Sequence, residues 1–218
     1  MSTTHRRPGY HHGDLPDRLM CLALQHIADV GTQKLSLRAL AREAGVSPTA
    51  PYRHFASKQC LLAALATQGF QELEARTDAA GLAAQSVEDR FLAMGLAYVR
   101  FAQDNPTLYQ LMFGSGLSEF SAYEMLHTAV ASAYGSVDRV LAQLIAEKDL
   151  PLEVEQLGGV VWGALHGIAS LLISDLKIGD GTLRPMQSLA ALRADPEVSI
   201  EYLLRSLIAE PKCDQAGV

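Results

Sequence analysis

The chain has 218 residues, 49% hydrophobic and 19% charged, which supplies a sizeable core and excludes a disordered polyelectrolyte. The formal charge of -6 is unevenly spread: residues 1–60 carry eight Lys and Arg against four Asp and Glu, the remainder ten against twenty. A basic head on an acidic body suits a protein whose head alone meets phosphate.

Cys21, Cys60 and Cys213 are far apart and form no CxxC pair. They point to a reducing cytosol and away from a disulfide framework or zinc site. The opening MSTTHRRPGYHHGDLP lacks the apolar stretch of a signal peptide, so the expected location is cytoplasmic. The most apolar stretch, residues 157–173, contains His166, Ser170 and four glycines. It is short beside the ~20 residues of a membrane span and reads as a buried helix.

Period-two alternation is almost absent and helical periodicity dominates, so the expected fold is all-α, with about nine helices. The first helix covers residues 14–30, with Leu15, Leu19, Leu22, His26 or Ile27, and Val30 on one face, Pro16 tolerated in its first turn and Gly31 as its stop. The second starts at Ser36, places Leu37, Leu40, Ala41 and Ala44 on one face and stops at Gly45. Ser47 and Pro48 open a short third helix that ends near His54, and Ser57 opens a long fourth to residue 80. Further helices are expected over 86–104, 105–113, 118–148, 152–176 and 196–210. The breaks are Asn105-Pro106, Gly114-Ser115-Gly116, Leu150-Pro151 and a loose stretch with Gly179, Gly181 and Pro185. The domain reading is a flexible basic arm (1–13), a three-helix head (14–60), a larger helical body (61–210) and a frayed tail (211–218).

Residues 35–55, LSLRALAREAGVSPTAPYRHF, meet the physical requirements of a helix-turn-helix. Ala41 allows two helices to cross closely, Gly45 tolerates the positive φ of the sharp turn, and Val46 pins that turn into the core. The following short helix carries Ser47, Thr49, Tyr52, Arg53 and His54, a set suited to phosphates and base edges in a major groove. Lys58, Ser36 and Arg38 are placed to clamp backbone phosphate. The competing reading is a helical hairpin with a solvated polar face. Pro48 and Pro51 both lack an N–H, which tightens the short helix.

The segment 9–65 resembles the DNA-binding domain of the TetR family of bacterial regulators. The resemblance rests on the amphipathic first helix ending in Val30-Gly31, on SLRALAREAGVS, and on YRHFASK followed by LLAAL. It implies a homodimer that binds a palindromic operator and leaves it when a small ligand occupies the C-terminal domain. Residue by residue, it implies DNA contacts at Ser47, Thr49, Ala50, Tyr52, Arg53, His54 and Lys58. Pro51 departs from the family's usual aliphatic residue. The arm His5-Arg6-Arg7 is either a solvated tail or a groove-reaching segment. His11-His12 lacks a third ligand, so no metal site is assigned.

In the body, residues 106–114 and the Trp162–His166–Gly167 segment resemble a C-terminal subtype marked by a Trp/His/Gly motif. Trp162 and His166, four apart, share a helix face. Tyr98, Phe101, Tyr109, Met112, Phe113, Phe120 and Tyr123 are candidates to surround that face as an apolar effector cavity, the alternative being ordinary core packing. Gly159, Gly163 and Gly167 form a ridge of small residues. With Tyr202, Leu203, Leu207 and Val198 of the last helix, that ridge is the candidate dimer interface, the alternative being close packing within one subunit. No cofactor motif is present, and Gly116-Leu-Ser118-Glu-Phe120 lacks the closing glycine of a nucleophile elbow, so an enzyme is not expected. A second alternative is a DNA-binding protein with no effector, regulated by a partner or not at all.

Overall fold

The computed structural model describes residues 15–114, 122–174 and 184–209. Among the described residues there are nine α-helices and no strand. The head is α1 (Leu15–Val30) and α2 (Leu37–Glu43), each followed by a single 3-10 turn, Thr32–Lys34 and Pro51–Arg53. α3 (Lys58–Leu82) leads into the body, which contains α4 (Val87–Asp104), α5 (Pro106–Phe113), α6 (Glu124–Lys148), α7 (Val154–Ile173), α8 (Arg184–Ala194) and α9 (Pro196–Leu207).

Local chemistry sets several of the starts. Ser57, Ser86 and Asp195 cap α3, α4 and α9 by accepting from the backbone N–H of Cys60, Asp89 and Val198. Glu153 and Gln156 close a capping box on α7. Gly31 and Gly45 take φ of 78° and 68° where α1 and α2 must stop, the left-handed region that side chains disfavour.

Two differences from the sequence expectation have physical causes. The segment after Ser47 is not an α-helix. Ala50, Arg53 and His54 donate to carbonyls three residues back, at Ser47, Ala50 and Pro51, because Pro48 and Pro51 have no N–H to give. The expected loose stretch before α9 also holds α8, in which Leu189 is the buried residue among those described. So sparse an apolar stripe leaves no readable periodicity, and Pro185 sits in the first turn, where a missing N–H costs nothing. The expected helical residues 118–123 lie partly, and 175–176 wholly, outside the described residues, as do Phe120, Gly179, Gly181, the leading arm and the tail.

The apolar residues form two clusters. The first joins the head to the body: Leu19, Leu40 and Phe55 pack in one cluster with Leu61, Leu65, Phe70, Phe101, Tyr109, Met112 and Leu126. The second lies deeper and joins α4, α6, α7 and α9 through Phe91, Met94, Leu141, Leu144, Leu157, Leu165, Ile200 and Leu204. α7 is long and apolar enough by composition to cross a membrane. Its Leu157, Val161, Leu165 and Ala169 are nonetheless buried within the body.

α3 meets α5 at Gly69. A Cβ there would lie 2.5 Å from Met112 Sδ and 3.2 Å from Leu108 Cδ1, and both of those side chains are buried. Gly69→Val is expected to lose about 1–3 kcal/mol of stability through overpacking, measured by urea denaturation. An unchanged midpoint would mean that α5 yields freely and that this contact is not tight.

Candidate functional site

The head presents one polar surface. Pro51 and Phe55 are buried and fix the 3-10 turn to the core. Ser47, Thr49, Tyr52, Arg53 and His54 are exposed, with Ala50 half-exposed, so the expected reading face is assembled outward-facing. Tyr52 is 46% exposed, an unusual position for a large aromatic that does nothing in the fold. Ser47 Oγ lies 3.2 Å from Thr49 Oγ1, which links two hydroxyls of that face. Ser36 and Arg38 are exposed at the start of α2, though Ser36 makes no capping bond with its side chain. Lys58 is the exception to the sequence expectation. Its Nζ donates to the carbonyls of Thr32 and Gln33, both at 3.3 Å, and so holds the α1–α2 connection instead of standing free as a phosphate clamp. His26 Nε2 and Glu43 Oε2, 2.6 Å apart, tie α1 to α2 beneath.

The body contains a cavity of about 360 Å³. It opens where the two clusters meet. Phe70, Leu73 and Thr77 of α3 form one wall, and Phe91, Met94, Gly95 and Tyr98 of α4 another. Phe113 comes from α5, Tyr134 and Asp138 from α6, and Glu155, Gly159, Val161, Trp162 and Leu165 from α7.

Phe113 is the hub of the aromatic lining. Its ring centroid lies 5.5 Å from that of Phe70, 4.8 Å from Tyr109, 5.1 Å from His166 and 6.4 Å from Trp162. Behind this wall Tyr98 Oη is 2.8 Å from Tyr109 Oη, and Tyr109 Oη is 2.7 Å from His166 Nδ1. Burial raises the Tyr98 hydroxyl far above the usual phenol value and pushes Tyr109 up to about 12. Burial also lowers His166. A neutral imidazole protonated at Nε2 then satisfies the chain, with Tyr98 donating to Tyr109 and Tyr109 donating to Nδ1.

Residues 20–65 match the family of bacterial regulatory proteins, tetR family, and residues 91–207 match the tetracyclin repressor-like C-terminal domain. The chain belongs to the TetR family. This is a family of transcription regulators rather than enzymes. An HTH-type transcriptional regulator of Mycobacterium bovis is 30% identical over 138 residues, which span 62% of this chain and 59% of that regulator. The nucleoid occlusion factor SlmA of Shewanella putrefaciens is 29% identical over 132 residues, spanning 61% of this chain and 66% of its own. A solved structure of a protein of unknown function from Rhodococcus sp. RHA1 superposes with a TM-score of 0.68 at 30% identity, covering 90% of this chain and 98% of that one. The regulator FadR of Bacillus subtilis, solved in complex with stearoyl-CoA, shares the fold with a TM-score of 0.66 at 15% identity over 88% of this chain and 99% of its own.

In this TetR-family chain the expected cavity residues divide. Tyr98, Phe113 and Trp162 line the cavity. His166 stands one layer behind, on Tyr109. Phe101 and Met112 are corrected to core: both are fully buried in the first cluster, Phe101 under the Arg76 guanidinium 5.6 Å away and Met112 against Gly69. Tyr123 packs on that same cluster at the start of α6 and does not reach the cavity lining. Sequence reading missed the α3 wall and the Asp138 and Glu155 carboxylates. The spacing Phe70, Leu73, Thr77 was visible, but it is identical to that of any core face. Of the expected dimer residues, Gly159, Gly163, Gly167 and Tyr202 are exposed, with Tyr202 at 77%, and Leu203 and Leu207 are half-buried. A Cβ on any of the three glycines meets nothing within 4 Å, so no packing contact inside one subunit requires their smallness, though Gly159 also lines the cavity.

His166 has a pH signature. Its folded value lies below the ordinary 6.5, so just below that value the unfolded chain holds the extra proton. Stability must therefore fall as pH drops through about 6.5 toward the lowered folded value. Melting temperatures across about pH 5 to 7 are expected to decline on acidification in the wild type and to flatten in His166→Gln. Parallel curves for the two proteins would contradict a neutral, half-buried His166.

Proposed function

We propose that this chain is a cytoplasmic, ligand-responsive transcriptional repressor that binds a palindromic operator as a homodimer and is released by a small, hydrophobic effector. The observation that carries this reading is the position of α3. Its first half packs under the head, and Phe70, Leu73 and Thr77 of its second half wall the cavity. An occupant of the cavity pushes on the helix that holds the head.

Operator contact falls to the exposed face of Ser47, Thr49, Ala50, Tyr52, Arg53 and His54, with Arg53 suited to guanine and the hydroxyls and Tyr52 to phosphate. Ser36 and Arg38 add backbone contacts, and Lys58 contributes only what its two carbonyl bonds leave free. Pairing falls to α7 and α9. Val160, Leu171, Val198 and Tyr202 leave an exposed apolar surface there, and the glycine ridge admits a second helix closely. Such a dimer places its two reading faces in successive major grooves, ~34–36 Å apart. The alternative without an effector fits a filled body, and the cavity of about 360 Å³ speaks against it.

Fluorescence anisotropy with DNA from upstream of the chain's own gene, at several salt concentrations, tests the proposal. The wild type is expected to bind with a steep salt slope. Tyr52→Ala/Arg53→Ala is expected to lose most of that affinity while remaining a dimer. Gly163→Arg, on the exposed face of α7, is expected to sediment as a monomer and to bind weakly with an intact head. Tight binding by all three proteins would defeat the reading.

A further inference from the structure

The cavity has a chemical sign. Its charged lining consists of Asp138 of α6 and Glu155 of α7, with no Lys, Arg or His among the described lining residues. Neither carboxylate takes part in an ion pair among the described residues. Asp138 Oδ1 would lie 3.8 Å from a Cβ on Gly158, so it reaches across from α6 to the start of α7. Tyr134, one helical turn before Asp138, stands beside it, and burial first, then the Asp138 charge, raises the Tyr134 hydroxyl.

One local feature would ordinarily favour an anion: the positive end of α7, whose first turn carries Glu155. It is already compensated. The Glu153 side chain accepts the N-terminal amide in the capping box, and the Glu153 N–H donates to Gln156 Oε1 at 3.1 Å. An anionic headgroup at this mouth therefore meets two carboxylates and a filled helix end.

The rest of the lining favours a cation. Phe91, Tyr98, Phe113 and Trp162 line it with aromatic rings, whose negative faces attract a cation. The deeper wall, from Leu73, Met94, Val137, Val140, Val161 and Leu165, takes an apolar body and offers no group to solvate a charge. At about 360 Å³ the space lies at the small end of ligand cavities, ~300–1,000 Å³.

We infer that the effector is a compact amphipathic amine, with its apolar part between Phe70, Met94 and Leu165 and its ammonium between Asp138, Glu155 and the Trp162 ring. This rests on reading the cavity as the effector site. It excludes fatty acids, acyl thioesters of phosphorylated carriers and other anions as the preferred ligand class.

Trp162 is the single tryptophan, so its emission reports occupancy directly. The full-length protein is titrated with phenylbutylamine, phenylbutanol and phenylbutanoate, which share one skeleton and differ in charge. The amine is expected to bind at least about tenfold tighter than the acid, with the alcohol between them. In Asp138→Asn/Glu155→Gln the preference is expected to collapse while the alcohol's affinity is kept, which also shows that the cavity is intact. If the acid binds as well as the amine, or the amine's preference survives in the variant, the cationic assignment is overturned and an effector site remains. If none of the three perturbs Trp162 at millimolar concentration, both the assignment and the effector reading of this cavity fall.

Discussion

α3 is the constraint on which the rest of the molecule depends. Leu61, Leu62 and Leu65 on its first turns are buried with Leu19, Leu40 and Phe55 of the head. Phe70 and Leu73, two turns on, sit in that same cluster and also wall the cavity. Ser132 of α6 donates to Glu74 at 2.6 Å, and Ser136 donates to Asp78, so the far end of α3 is bound to the body by polar as well as apolar contacts. Arg76 bridges Glu72 to Asp104 on α4. A close-packed rod shared by two units transmits displacement because its neighbours have no slack to absorb it.

The head is built to display rather than to bury. With Pro48 and Pro51 removing two donors, the reading segment closes as a single 3-10 turn. Pro51 and Phe55 anchor it from below, leaving Tyr52, Arg53 and His54 outside. Lys58, the first residue of α3, ties that helix back to the carbonyls of Thr32 and Gln33 after α1. The same residue that was expected to touch phosphate thus joins the turn after α1 to α3.

Most of the fold was legible in the sequence because its signals are local. Gly31, Gly45, Ser57, Ser86 and Asn105-Pro106 mark helix ends by their own backbone preferences, and the ends fall there. The head's exposed polar face was legible for the same reason, since turn and face lie within 21 contiguous residues, 35–55. The cavity was only half legible. Tyr98, Phe113 and Trp162 stood out as aromatics, but Phe101 and Met112 carry an equal signal and are core. Which side of α4 faces the cavity depends on how α3 and α7 pack against it, and that is a tertiary fact. Asp138 and Glu155 look like ordinary solvated helix residues until α6 and α7 are brought together. α8 escaped notice because what ties it to the body is largely tertiary: Leu189 is buried, and the Arg193 guanidinium donates to the Ser174 carbonyl at 2.7 Å after the end of α7.

The central claim is that occupancy of the cavity is felt at the reading face through α3. Linkage makes this measurable from the body alone: a ligand that weakens operator binding must itself bind more weakly to the operator-bound protein, by the same factor. Trp162 emission is titrated with phenylbutylamine in the absence of DNA and in the presence of saturating operator. The account predicts a ~5–150-fold weaker affinity with operator present, the range of ordinary allosteric coupling. Superimposable titrations would contradict it, because they would mean that the cavity and the head do not communicate.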